Sequence, residues 1–142
     1  YYSQPVVQIV DATLVRREQL AKGLSAIKRV GIVRGFTAEA WQPLQSKYAI
    51  ELVEVQDIQS MIRMLERNRL DAIYANPQVI QHHMQLLGIA PELLQRDPQL
   101  PQISTSFHLS SYKYPELIKR FDRFLIDEAP MLSQLHQHYG LP

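Results

Sequence analysis

Apolar and polar residues occur along this chain in short blocks that predict strands and helices in alternation. Residues 6–10 form an apolar, β-branched run that is interrupted at Gln8, and residues 12–15 continue it, so an extended segment is predicted there. The mixed stretch 18–28 predicts a short helix and a turn. The chain therefore begins with one long extended element.

The first strand and helix unit follows this segment. Residues 30–33 are a compact apolar run that predicts a strand, and Arg34 and Gly35 end it. Thr37 then has the residue type and position of a helix N-cap, which predicts a helix that continues through residue 44.

Two more units of the same kind come next. Residues 50–55 predict a second strand, after which Asp57 can cap a helix whose apolar residues fall at helical spacing. Residues 70–75 predict a third strand, which is closed by Asn76 before a helix that ends near Gly88. Strands and helices thus alternate three times.

The C-terminal part has a different pattern. Residues 91–101 hold three prolines and predict a loop, and residues 103–111 predict another strand. Pro115 begins a long helical region that Pro130 is expected to kink or divide. Taken with the three units, this order predicts an α/β domain with a largely parallel sheet flanked by helices, in which ligands bind at the carboxyl ends of the strands.

Composition narrows the range of functions. The chain has 142 residues, 46% of them hydrophobic and 20% charged, which suits one globular domain with a real core. Fifteen Lys and Arg against fourteen Asp and Glu give a net charge of +1, without a basic block that could follow the backbone of a nucleic acid. The absence of Cys excludes disulfides, thiolate metal sites and a Cys nucleophile. We therefore expect no nucleic-acid partner.

Motifs of known enzymes and metal sites are missing from the sequence. There is no Ser, His and Asp order of a hydrolase, no Gly-rich phosphate loop and no helical metalloprotease motif. His82 and His83 are adjacent, and His136 and His138 are two apart, so neither pair has the i, i+4 spacing of a helical metal site. We expect structural or surface roles for these side chains, and no metal or cofactor.

Four segments, in their order and spacing, carry a resemblance to a known family. Residues 1–15 look like an entry into a crossing segment between two lobes, and residues 28–35 are similar to the motif Gly-Lys-x-Val-Gly-Val-x-x-Gly. Residues 64–72 are similar to Leu-x-x-Gly-Arg-x-Asp-Ala, and residues 106–117 resemble a return strand and a Lys-x-x-Pro-Glu-Leu helix start. Together they resemble bacterial extracellular solute-binding protein family 3, the amino-acid-type periplasmic binding proteins of ABC transporters, which have the type II periplasmic-binding fold.

This resemblance implies that the chain is the second, ligand-gripping lobe of such a protein. Residues 1–16 would be the crossing segment from a missing first lobe, residues 17–112 the α/β lobe, and residues 113–142 a helical tail that packs on the first lobe. Nothing in the sequence corresponds to the family's first lobe or to its carboxylate-binding Arg. We therefore expect a fragment truncated at its N-terminus, with apolar surface that favours a homodimer.

The resemblance places one ligand contact after the first strand. Gly35, Phe36 and Thr37 stand where the family has Gly-Thr-Thr or Gly-Ser-Thr, and free backbone N–H groups with a helix dipole would favour an anion there. Arg34 could present a fork of donors to a carboxylate. The alternatives are that Thr37 only caps a helix and that Arg34 is a solvated surface residue.

The second contact follows the third strand. The family has an Asp there that binds the α-amino group of the ligand, and the matching position is Asn76, which supplies no charge. This makes an ordinary amino acid a poor candidate ligand, although Asn76 is equally well explained as a turn residue before Pro77. Tyr74 could line the cleft, and Asp71 is interpreted as a structural cap or turn residue.

The sequence favours a binding protein that is not an enzyme. The leading hypothesis is an extracytoplasmic, periplasmic solute-binding protein that captures a small polar or anionic solute and delivers it to the permease of an ABC transporter. The alternative is the ligand-sensing domain of a membrane signalling protein with the same fold. A periplasmic dehydratase or lytic enzyme is a third possibility, and it would need an acid or base where Asn76 stands.

Overall fold

The computed structural model of this chain describes residues 1–141. These residues form two compact units, residues 1–9 with 104–141 and residues 10–103. The strands are β1 (Val7–Arg16), β2 (Arg29–Val33), β3 (Glu51–Val55), β4 (Ala72–Ala75), β5 (Leu94–Arg96) and β6 (Ile103–Phe107). The helices are α1 (Gln42–Gln45), α2 (Ile58–Glu66), α3 (Pro77–Leu86), α4 (Pro115–Asp127) and α5 (Ala129–His138). Short 3-10 turns occur at Arg17–Gln19 and Leu24–Ala26.

The unit of residues 10–103 is built on a sheet with the strand order β3-β2-β4-β1-β5. β2 lies between β3 and β4 and is parallel to both, whereas β1 is antiparallel to β4 and to β5. The α/β class, with parallel strands flanked by helices, is confirmed. Because β1 runs against β4, the residues of β1 that pair with the end of β4 lie at the edge where the parallel strands end.

Two apolar clusters form the core of this unit. One includes Met61, Ile62 and Leu65 of α2 with Ile80 and Met84 of α3. The other holds buried residues of β2 and β4, the strand residue Val15 and the fully buried indole of Trp41. The helical spacing that predicted α2 therefore marks the face that is removed from water.

The helix caps show why α2 and α3 begin where they do. The Asp57 carboxylate accepts a hydrogen bond from the Ser60 N–H at 2.7 Å, and this bond lowers the pKa of Asp57 below its ordinary value. Asn76 caps α3 by accepting from the N–H groups of Gln78 and Val79. Both helices begin close to where the sequence predicted them. Asp57 was predicted as a cap, whereas Asn76 was interpreted as a turn residue, although both satisfy donors that a helix leaves free.

The prediction that Thr37 caps a helix is wrong. α1 begins at Gln42, after Trp41 at the N-cap position, and it has only four residues. Pro43 explains the late start, since a helix that began after Thr37 would place Pro43 in its interior, where the missing N–H costs a hydrogen bond. The dipole of a long helix is therefore absent beside Gly35.

Two further boundaries differ from the sequence expectations. The predicted loop 91–101 contains the short strand β5, and the predicted strand 103–111 ends at Phe107. β5 exists because it pairs with β1, in a register that sets Val15 opposite Gln95. A strand of three residues that depends on a distant partner leaves little local signal.

The unit of residues 1–9 and 104–141 brings together the N-terminal and C-terminal segments of the described chain. The Ser3 N–H donates to the Leu109 carbonyl at 2.8 Å, and the Gln4 N–H donates to the Asp122 carboxylate on α4 at 2.7 Å. α4 and α5 are separate helices divided next to Pro130, as predicted. Pro142, the last residue of the predicted tail, lies outside the described residues.

This same unit exposes many large apolar side chains. They come from its first residues, from the segment before α4 and from both helices: Tyr1, Tyr2, Phe107, Leu109, Tyr112, Tyr114, Leu117, Phe124, Ile126, Met131, Leu135 and Tyr139. Within residues 1–141, no helix is both long and apolar enough to span a membrane.

Candidate functional site

A cavity of about 390 Å³ lies at the edge of the sheet where β2 and β4 end. Its polar and aromatic lining is Asp11, Arg34, Gly35, Phe36, Tyr74 and Asn76, and apolar residues of β2, α2, β4 and α3 complete it. The loops that follow parallel strands, and the N-termini of the helices after them, lie at this edge, which is why α/β sheets bind ligands there. Five of the six residues predicted from the sequence are brought together in this cavity.

The turn after β2 fixes the positions of Arg34 and Phe36. The Phe36 N–H donates to the Val33 carbonyl at 2.9 Å, and the Arg34 N–H donates to the Val55 carbonyl at 2.9 Å. Gly35 has a φ of 83°, a backbone conformation that is strained for any residue with a side chain. Of the three backbone N–H groups expected to bind an anion, those of Gly35, Phe36 and Thr37, the Phe36 N–H is thus already bonded, so the turn offers fewer backbone donors than the sequence suggested.

The Arg34 guanidinium is the main group in the cavity that can bind an anion. It is exposed, and no ion pair or hydrogen bond of this side chain occurs within residues 1–141. An unpaired guanidinium keeps its fork of N–H donors available for a carboxylate.

Tyr74 supplies a buried polar group. Its side chain is only 1% exposed, and its Oη atom lacks a hydrogen-bond partner in the described part of the chain. Burial, followed by the negative charge of Asp11, raises the pKa of Tyr74 to about 12. The N–H of Ala40 acts against this rise, although it does not reach the oxygen with hydrogen-bond geometry. Buried hydroxyls are normally bonded, so Oη is a group that a ligand could satisfy.

An aromatic wall accompanies this hydroxyl. The ring centroids of Phe36 and Tyr74 are 6.0 Å apart, with 56° between the ring planes. This tilted arrangement is typical of aromatic pairs in contact. Because Phe36 is itself exposed, its ring forms part of the cavity mouth.

Asp11 is a cavity residue that the sequence analysis did not select. β1 and β4 pair with Ala12 opposite Ala75, the last residue of β4, and Asp11 directly precedes Ala12 in β1. Its carboxylate is half-buried, and burial together with the nearby charge of Glu39 raises the pKa of Asp11 above its ordinary value. A charged residue inside an apolar run such as 6–15 is unusual in a half-buried strand, and this feature of the sequence could have indicated Asp11.

Asn76 lies at the cavity and Thr37 lies outside it. The Asn76 Oδ1 atom accepts hydrogen bonds from the Gln78 N–H at 2.9 Å and from the Val79 N–H at 3.3 Å, so this residue lines the cavity while it caps α3. Thr37 is exposed and does not line the cavity. The Thr37 hydroxyl was expected beside Arg34 because a helix was expected to begin there.

A second cavity, of about 440 Å³, lies beside α2. Much of its lining is charged and exposed, including Asp57, Arg67 and Arg69. It does not lie at the strand ends, and the unpaired hydroxyl of Tyr74 is not part of it. The strand-end cavity is therefore the better candidate site.

Comparison with solved structures identifies the fold. The second substrate-binding domain of a protein described as an amino-acid ABC transporter from Streptococcus pneumoniae is 19% identical, with a TM-score of 0.65, over 98% of this chain and 64% of that one. An ancestral arginine-binding protein bound to arginine is 12% identical, with a TM-score of 0.73, over 97% of this chain and 63% of that one. The GLUR0 ligand-binding core in complex with L-glutamate is 16% identical, with a TM-score of 0.68, over 97% and 62%.

These similarities confirm the predicted fold, that of amino-acid substrate-binding domains of ABC transporters. No family model matches the sequence, and no curated protein matches it. The chain spans less than two thirds of the length of the structures it matches. The three similar structures are named as substrate-binding domains, binding proteins or ligand-binding cores.

Proposed function

We propose that this chain is a lobe of an extracytoplasmic solute-binding protein that captures a small polar or anionic solute for an ABC importer. The solute would lie in the cavity at the ends of β2 and β4. The protein would act by binding and release, without catalysis, and the permease of the transporter would be its partner.

The unpaired guanidinium of Arg34 at the mouth of this cavity carries the proposal. It offers two parallel N–H donors to a carboxylate, and the unbonded N–H of Gly35 lies next to it in the chain. The fold shared with substrate-binding domains supports the same position for the solute.

Residues 1–16 and 113–142 are proposed to meet a further lobe in the whole protein. Solute would then be held between two lobes that close around it. The exposed apolar side chains of α4 and α5 agree with such a contact.

A ligand-sensing role is the second candidate, because the GLUR0 ligand-binding core has the same fold and is not named as a transporter. Both candidates need the same cavity to bind solute. One binding experiment therefore tests what they share.

That experiment is a titration of the ¹⁵N-labelled chain with pools of standard L-amino acids and of short carboxylic acids, followed by amide chemical shifts. We expect shifts at residues 34–36 and 74–76, with weak affinity because one lobe is present. Arg34→Ala should weaken binding by roughly tenfold to a hundredfold, which corresponds to the loss of a charge-assisted hydrogen bond.

The matched control is Arg17→Ala. Arg17 is exposed and follows the opposite end of β1, so this variant changes the net charge equally without touching the cavity. It should bind as the parent does. If no pool shifts the resonances of the cavity residues, or if Arg34→Ala binds as tightly as the parent, the proposed function is wrong.

A further inference from the structure

We propose that the cavity beside α2 is a second binding site, which holds a phosphate group between the guanidinium groups of Arg67 and Arg69. This cavity of about 440 Å³ lies in the unit of residues 10–103 and shares no lining residue with the cavity at the ends of β2 and β4. Binding at this second site therefore does not depend on the solute proposed for the strand-end cavity.

The charged lining of this cavity consists of three arginines and one aspartate: Arg63, Arg67, Arg69 and Asp57. The Asp57 carboxylate is already engaged at the start of α2, since its two oxygens accept from the Ser60 N–H at 2.7 Å and from the Ser60 hydroxyl at 3.0 Å. Arg63 forms an ion pair with Glu66 at 3.2 Å. The side chains of Arg67 and Arg69 form no ion pair or hydrogen bond within residues 1–141. Two positive charges are therefore left available to an anion.

The turn that ends α2 fixes the backbone of these two arginines. The Arg67 N–H donates to the Arg63 carbonyl at 3.0 Å, and the Arg69 N–H donates to the Met64 carbonyl at 2.8 Å. Between them, Asn68 has a φ of 62°, in the left-handed region in which many helices end. The two side chains therefore begin from set positions on either side of Asn68, which lowers the cost of ordering the site when an anion binds.

Charge and the number of donors favour a phosphate group over a single carboxylate. A phosphate monoester carries about −1.5 to −2 charges at neutral pH and has three acceptor oxygens, which matches two unpaired guanidinium groups. A carboxylate has one charge and two oxygens, so it would leave one guanidinium unmatched. The half-buried side chains of Met64 and Leu87 also line the cavity, so a phosphate attached to an apolar group would fit as well as the free ion. The chemistry recognised is thus a phosphate group, from the free ion or from a lipid headgroup.

The test is a titration of the ¹⁵N-labelled chain with sodium phosphate at a constant, low ionic strength, because salt screens exposed charges. We expect amide shifts at residues 60–69 and 87. The double variant Arg67→Gln with Arg69→Gln should weaken phosphate binding roughly tenfold or more, as the loss of charge-assisted hydrogen bonds would give. The double variant Arg67→Lys with Arg69→Lys keeps the charge without the fork of donors, so it should weaken binding by less.

The matched control is Arg17→Gln with Lys22→Gln. Both residues are exposed and lie outside the cavity, so this variant changes the net charge equally and should bind phosphate as the parent does. Vesicles of phosphatidylcholine, with and without phosphatidic acid, separate the two sources of phosphate. Cosedimentation that needs phosphatidic acid and is lost in the Gln variant of Arg67 and Arg69 assigns the site to a lipid headgroup. Phosphate shifts without cosedimentation assign it to a free phosphate.

Three results would overturn the inference: phosphate that leaves residues 60–69 unshifted, a Gln variant of Arg67 and Arg69 that binds as tightly as the parent, or an equal loss in the control variant. Arg67 and Arg69 would then only complement the negative end of the α2 dipole. The titration of the parent needs no variant, so it decides the matter even if a variant does not fold. None of these results touches the proposed function, which is read at residues 34–36 and 74–76.

Discussion

Tyr74→Phe is expected to make the protein more stable while it weakens solute binding. The substitution removes one hydroxyl from a side chain that is 1% exposed and leaves the ring in place. In most proteins this change costs stability, because a buried hydroxyl has a partner. The Tyr74 Oη has none within residues 1–141, so the change here removes an unsatisfied polar atom from the core.

The magnitude follows from the desolvation of that atom. A buried, unsatisfied polar group costs about 1–3 kcal/mol, and the expected gain in the free energy of unfolding is the lower end of this range, about 1 kcal/mol. For a chain of this size, 1 kcal/mol corresponds to a rise in Tm of about 3–5 °C. The raised pKa of Tyr74, about 12, has the same main cause.

Urea unfolding and thermal melts of the parent and of Tyr74→Phe measure the stability change. Tyr112→Phe is the matched control, because Tyr112 is 96% exposed and should show no effect. The alkaline side gives a second check. The pKa of the Tyr74 hydroxyl is higher in the folded protein than in the unfolded chain, so the parent loses stability as the pH rises from about 10 to 12. Tyr74→Phe lacks this hydroxyl and should not show that loss. A variant that is less stable by 1 kcal/mol or more would show that Oη has a partner, and the argument for an unsatisfied hydroxyl would fail.

Two further predictions concern packing and assembly. In Gly31→Ala the new Cβ would lie 2.5 Å from Leu70 Cδ1, so urea unfolding should show a loss of about 1–3 kcal/mol in the free energy of unfolding. The cost of Gly31→Ala should be smaller when it is measured in a Leu70→Ala background, because the clashing atom is then absent. If Gly31→Ala is as stable as the parent, Leu70 does not pack as closely on Gly31 as described. The exposed apolar residues of α4 and α5 should make this chain self-associate, and light scattering that finds a strict monomer at high concentration would count against this.

Much of the fold could be predicted from local patterns. The three strands and the helices after Asp57 and Asn76 were found because apolar spacing and N-cap residues act within a few positions of each other. The helix after Thr37 was predicted wrongly, because its cap signal was read without the effect of Pro43 in the following turn. β5 was missed because its pairing with β1 joins residues about eighty positions apart.

The candidate site shows the same division. Gly35, Phe36 and Asn76 were predicted because the resemblance implies ligand contacts directly after two recognisable strands. Arg34 was selected as a neighbour of the first turn, and Tyr74 as a side chain that could line the cleft. Asp11 could not be found in this way, since it comes from a segment far away in sequence and reaches the cavity only through the antiparallel pairing of β1 with β4.

The sequence by itself therefore determined the strands β2, β3 and β4, the helices after Asp57 and Asn76, and the turn that carries the Arg34 guanidinium, because these depend on neighbouring residues. Only the tertiary structure decided that a carboxylate and an unpaired hydroxyl lie in the same cavity as Arg34. That outcome depends on strand order and register, which are set by the packing of distant apolar faces and leave no local mark on the sequence.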